Sequence, residues 1–121
     1  KTMAAPNLVN VSSVLGKSKG LALTTSSQDV LTCASDKLLK INSIICANID
    51  GTNDATVDVL MNDGSTSYHV GKGINVAAGD TVVVVSKDAP IYLEETYVLK
   101  ALASAASDIE LVVSYEELDD A

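Results

Sequence analysis

Along most of the chain, apolar residues come in short runs that alternate with polar ones, and turn chemistry separates the runs. From Ile109 to Tyr115 the alternation is plainest. Ile109, Leu111, Val113 and Tyr115 fall on one side and Glu110, Val112, Ser114 and Glu116 on the other, the two-residue repeat of a strand with one face against a core. Ala55–Met61 alternates in the same way, with Val57, Val59 and Met61 inward, and Asn62-Asp63-Gly64-Ser65 then gives a hairpin signal, since Asp-Gly supplies positive φ angles. Thr66–Val70 is its partner strand. Further strands are expected at Leu8–Leu15 (an edge), Leu21–Thr25, Asp29–Cys33, Ile74–Val76, Thr81–Ser86, Ile91–Leu93 after the break at Pro90, and Tyr97–Ser104. Gly16-Lys17-Ser18-Lys19-Gly20 reads as a turn and Gly71-Lys72-Gly73 as a bend. Strands of this length and spacing predict an all-β chain, a single-domain antiparallel β-sandwich of jelly-roll or Ig-like type over residues 8–118. A short arm, residues 1–7, precedes it, and an acidic tail, residues 119–121, follows.

One segment is ambiguous. In Lys37–Ile49 the spacing of Leu38, Ile41, Ile45 and Ile49 suits a helix, whereas β-branched Ile41, Ile44, Ile45 and Ile49 and the Asn42-Ser43 pair favour a strand. The strand reading lines one face with Leu39, Ile41, Ser43, Ile45, Ala47 and Ile49.

Charge narrows the function. The chain has 121 residues, with 16 acidic side chains, eight lysines and no arginine, for a net charge of −8. A basic stripe with arginines for phosphate and guanine is missing, so no nucleic-acid partner is expected, and the acidity does not suit an anionic membrane. Apolar runs fall far short of the ~20 residues that cross a bilayer, and the first residues lack the basic-then-apolar order of a secretory signal. Cys33 and Cys46 sit in apolar runs and read as reduced, partly buried residues of a reducing compartment.

Sites of chemistry are sparse. Gly16-Lys17-Ser18 echoes a phosphate loop, but Val11 stands where that loop needs glycine. Asp50-Gly51-Thr52-Asn53-Asp54 is rich in oxygen yet has Ala55 and Met61 where an EF-hand has Gly and Glu, so it reads as a turn. His69, the single histidine, lacks the company a metal or a general base requires. The pairs Glu94-Glu95, Glu116-Glu117 and Asp119-Asp120 point to opposite sides of any strand and do not converge as glycosidase carboxylates do. No catalytic residue, cofactor or metal is expected.

The motifs Ala-Gly-Asp-Thr (residues 78–81), Lys-Asp-Ala-Pro-Ile-Tyr-Leu-Glu-Glu (87–95) and Ile-Glu-Leu-Val-Val-Ser-Tyr-Glu-Glu-Leu (109–118) come with the strand Ile44–Thr52 and its hairpin. Together they resemble small β-sandwich virion structural proteins of tailed bacteriophages, of the marine and cyanobacterial type. Thr96-Tyr97 stands where such sequences carry Gly-Asp. The resemblance implies a non-enzymatic particle component, a capsid decoration or cement protein or a part of the neck or tail, assembled in bacterial cytoplasm. Its partners would be copies of itself, as a trimer or ring, and the capsid, neck or tail proteins of the same particle. Apolar residues that alternate away from the expected core are then interface candidates: Leu60, Val98, Leu102 and Val112. A second class, a module for host glycans or receptors, would have to use Tyr68, Tyr92, Tyr97 and Tyr115, the only aromatic residues.

Overall fold

The structure, a computed structural model, describes residues 7–120, with side chains to residue 119. Most of the expected arm, Lys1–Pro6, therefore lies outside the described residues. Among the described residues nine strands form two sheets: β1 Val11–Ala22, β2 Gln28–Thr32, β3 Lys37–Asn48, β4 Ala55–Asn62, β5 Ser67–Val76, β6 Thr81–Val85, β7 Ile91–Leu93, β8 Val98–Ala103 and β9 Ile109–Asp120. One sheet has the order β1-β9-β3-β6, with β7 beside β6 on the same edge of β3, and the other has β2-β8-β4-β5. All pairings are antiparallel. The chain is an antiparallel β-sandwich without helices among the described residues.

Two inner faces meet in one core. Leu39, Ile41, Ile44, Cys46, Ile109, Leu111 and Val113 from the first sheet close against Val57, Val59, Val76, Leu99, Ala101 and Ala103 from the second. Strict alternation on β8 and on the first half of β9 fits those strands to their neighbours. The Asp63–Thr66 hairpin is present, with Gly64 at φ 99° and Asp63 Oδ1 accepting the Thr66 amide at 2.8 Å.

Several expectations are corrected. Lys37–Asn48 is strand, but its inward set is wrong after Ile41. A bulge shifts the register between Ile41 and Ser43, so Ile44, Cys46 and Asn48 point inward while Ile45 and Ile49 are exposed. Two residues on a bulged strand oppose one on its partner, and every later side chain then changes sides. Gly16–Gly20 is no turn. It lies within β1, paired residue for residue with Gly16↔Glu116 to Gly20↔Val112, because the twelve-residue β9 offers a ladder along the whole segment. Leu21–Thr25 correspondingly supplies only the end of β1 and a loop.

Gly71–Gly73 does not end a strand either. It is a bulge inside β5, so the two expected strands are one. Gly73 has φ 59° and donates its amide to Asp58 Oδ1 at 2.7 Å, and a Cβ on Gly71 would meet Ile74 Cδ1 at 2.4 Å. Asp119, the first residue of the acidic tail, pairs within β9 opposite Lys37 and Ser13.

Thr96 adopts φ 71°, a left-handed conformation costly for a β-branched residue, at the position where the resembling sequences carry glycine. Its amide is held by the Cys33 carbonyl at 3.0 Å, and Cys33 in turn donates to Tyr97 O at 2.9 Å. Thr96→Gly should therefore stabilise the fold by about 0.5–1 kcal/mol, the relieved strain less the glycine's extra unfolded-state entropy, in urea melts. Destabilisation would mean that the threonine side chain holds the loop.

Candidate assembly surface

The outer faces of the two sheets differ. On the β2-β8-β4-β5 sheet the register places Asp58 opposite Leu102, Leu60 opposite Lys100 and Asn62 opposite Val98. Of the four interface candidates, Leu60, Val98 and Leu102 thus share this face and are partly exposed, separated by polar neighbours. Lys100 Nζ bonds Asp29 Oδ1 at 2.7 Å, and His69 Nε2 lies 3.8 Å from Asp58 Oδ2.

Val112, the fourth candidate, is on the other sheet. It sits in a row that crosses that sheet, Gly20, Val112, Ile45 and Val83, set by the pairings Gly20↔Val112, Val112↔Ile45 and Ile45↔Val83. Val112 is 40% exposed, Ile45 36% and Val83 63%. Three branched apolar side chains in contact range across a sheet are an unusual outlay for a solvated face. Sequence reasoning missed Ile45, which the unseen β3 bulge turns outward, and gave Val83 no face. Beside this row lies a polar one, with Ser18 Oγ 3.2 Å from Ser114 Oγ.

Among the described strands, β1 is the least covered. None of its twelve residues is buried, and Val14 (51% exposed) and Leu15 (46%) show apolar surface on opposite sides of the strand. Lys17 Nζ bonds Glu117 Oε2 at 3.1 Å. Glu117 also lies 3.8 Å from Lys37 Nζ, which bonds Asp119, and Ser13 Oγ reaches Asp119 Oδ2 at 3.1 Å. Hydrogen bonding to Asp119 raises the Lys37 pKa. Lys17 and Ser18, the residues of the phosphate-loop echo, are thus engaged along a strand, with no loop to cradle an anion.

Other chemical candidates are likewise occupied by structure. Asp50 Oδ1 accepts the Thr52 amide at 2.8 Å and Asp50 Oδ2 the Asn53 side chain at 3.3 Å, and these bonds hold its carboxyl below the usual range. Among the described residues no group of three His, Cys, Asp or Glu side chains converges as metal ligands would. Tyr68 and Tyr92 are exposed but stand on different sheets, and Tyr97 and Tyr115 pack against the core, so the tyrosines form no common platform. A shallow depression of about 340 Å³ opens at the root of β1, lined by Gly20, Leu21, Ala22, Glu110, Leu111 and Val112.

Both cysteines are free and buried. Burial pushes each thiol up to about 11. Neither should react with a thiol reagent at pH 8 until the protein is denatured. The raised native values also carry a sign. Unfolded thiols ionise near 9.0 and the buried ones do not, so stability should fall as pH rises from about 9 through about 11. Replacing both cysteines by alanine should flatten that part of the pH profile in urea melts, and an unchanged slope would assign it to other groups.

No family model and no curated protein sequence matches the chain. Solved structures do. A chain of the acid-stable capsid structure of Helicobacter pylori bacteriophage KHP30 superposes with a TM-score of 0.56 at 10% identity, over 92% of this chain and 91% of that one. A protein of the Bacillus endospore appendages, described as a family of disulfide-linked pili, superposes with a TM-score of 0.52 at 14% identity, over 90% and 88%. What the three share is the sandwich. At such identities the likeness is one of fold, and the surfaces described above are this chain's own.

Proposed function

We propose that the protein is a non-enzymatic virion structural subunit that associates with copies of itself and with other proteins of a phage particle, as a decoration or cement protein of the capsid or as a part of the neck or tail. The observation that carries this reading is the apolar row Val112, Ile45 and Val83 on a sheet face that also ends in a twelve-residue edge strand without a buried residue. A subunit that spent its life in water would gain nothing from either feature, whereas a standard stable protein contact buries about 1,600 Å² and needs such surface. The winding supports it. Strand order β1-β9-β3-β6 over β2-β8-β4-β5 is that of a jelly roll, an architecture common in capsid domains, and two fold likenesses come from repeating assemblies, a phage capsid and a pilus. On this reading Leu60, Val98 and Leu102 mark a second, more polar contact on the opposite face, and the particle is where the protein resides.

Sedimentation of the purified chain over a range of concentrations, with electron microscopy of what forms, tests the reading. Rings, trimers or larger assemblies of fixed stoichiometry are expected. Val83→Glu with Val112→Glu should dissociate them while leaving the fold intact, and a parent chain that stays monomeric at every concentration overturns the proposal.

A further inference from the structure

The first 28 residues carry three lysines and no acidic side chain, so the remainder of the chain holds all 16 carboxylates against five lysines. Strand β1 lies in the basic part, and β9, its only strand partner among the described residues, carries Glu110, Glu116, Glu117, Asp119 and Asp120 and no basic residue. The two are therefore matched in charge, and the matching is made by side chains at the sheet surface, such as Lys17 on Glu117. Within β1 no residue is buried, and Leu21 alone packs against the core. The core proper begins with Leu23, 1% exposed and fixed by its amide to Ile109 O at 2.9 Å and by its carbonyl to the Ser107 amide at 3.1 Å.

We infer that β1 is an exchangeable arm: in the assembled state it leaves its own β9 and occupies the same position on β9 of a second copy. This rests on the self-association proposed above and specifies how it is made. Exchange loses little, because the ladder from Val11↔Asp120 to Ala22↔Glu110 and the charge match are the same whether the strand comes from its own chain or another. Nothing in the core moves, since the pivot falls between Ala22, the last residue of β1, and the anchored Leu23. One peptide bond joins Ala22 to the anchored Leu23, so with the whole ladder exchanged the two copies meet at the root of β1, where each arm turns onto the other's β9.

Ser18 and Ser114 face each other across the β1–β9 ladder and report on which chain supplies each strand. One full-length chain carrying Ser18→Cys and another carrying Ser114→Cys are mixed in denaturant, refolded together, concentrated to assembly and oxidised. The native cysteines are buried and stay out of the reaction. The expected result is a covalent heterodimer on a non-reducing gel, at the share random mixing allows, which neither variant forms alone. Assembly without a covalent heterodimer overturns the exchange and leaves self-association standing. A mixture that sediments as monomer and forms no crosslink overturns both. A disulfide between two Ser18→Cys chains would show β1 pairing with β1, and it too overturns exchange onto β9.

Discussion

Val113→Asp should abolish folding. Val113 is fully buried on the inner face of β9, opposite Ile44 of β3. The carboxylate would meet no partner there, and its burial costs on the order of 5 kcal/mol, as much as the whole stability of many domains. The expected result is a chain without a cooperative urea transition. Val112→Asp is the control, one residue away and on the outer face, and should melt within about 1 kcal/mol of the parent. That variant should fail instead at assembly, because it puts a charge into the Val112, Ile45 and Val83 row. If Val113→Asp melts like the parent while Val112→Asp does not fold, the inside and outside of β9 have been exchanged.

Asn48→Leu should cost about 2–4 kcal/mol without changing the fold. Asn48 is the buried polar side chain among the described residues, 2% exposed at the inward end of β3. Its Nδ2 donates to Asn53 O at 2.9 Å and to Val76 O at 3.0 Å, and its Oδ1 accepts the Asp50 amide at 3.0 Å. One side chain thus ties β3 to the loop that follows it and to the end of β5 in the other sheet. Leucine has a similar volume and leaves all three backbone groups without that partner. Urea melts read the loss directly, and amide exchange should quicken first at Asp50. A variant as stable as the parent would mean that water or a backbone shift replaces the asparagine.

The same residue shows where sequence reasoning stops. Ala47 and Ile49 were expected inward and Asn48 outward, because a two-residue repeat counted from Leu39 and Ile41 gives that answer. The bulge between Ile41 and Ser43 reverses it, and nothing local to Asn42 announces a bulge. Its cause is non-local: Ile44, Cys46 and Asn48 pair with Val113, Leu111 and Ile109 of β9, a strand more than 60 residues later in the chain. The Gly71–Gly73 bulge, by contrast, left a local mark in its glycines, although that mark reads equally well as a bend.

The candidate surface was partly legible for the same reason. Leu60, Val98, Leu102 and Val112 all lie off the core, since each belongs to a stretch of uninterrupted alternation. Their division between two sheets, and the company Val112 keeps with Ile45 and Val83, depend on which strands are neighbours. Periodicity assigns a side chain to a face but not a strand to a sheet.

Alone, then, the sequence determined what short-range physics controls: an all-β chain, its turns at Asp63–Thr66 and around Pro90, the inward residues of β4, β8 and most of β9, and a composition without a basic or catalytic cluster. Tertiary structure decided the rest: that Gly16–Gly20 runs as strand along β9, that Ile45 faces outward, that Asn48 joins the sheets, and that β1 stands almost wholly outside the core. Each of these turns on hydrogen bonding and packing between segments far apart in the chain, where the free energy of a pairing belongs to both partners and neither segment carries it in its own pattern.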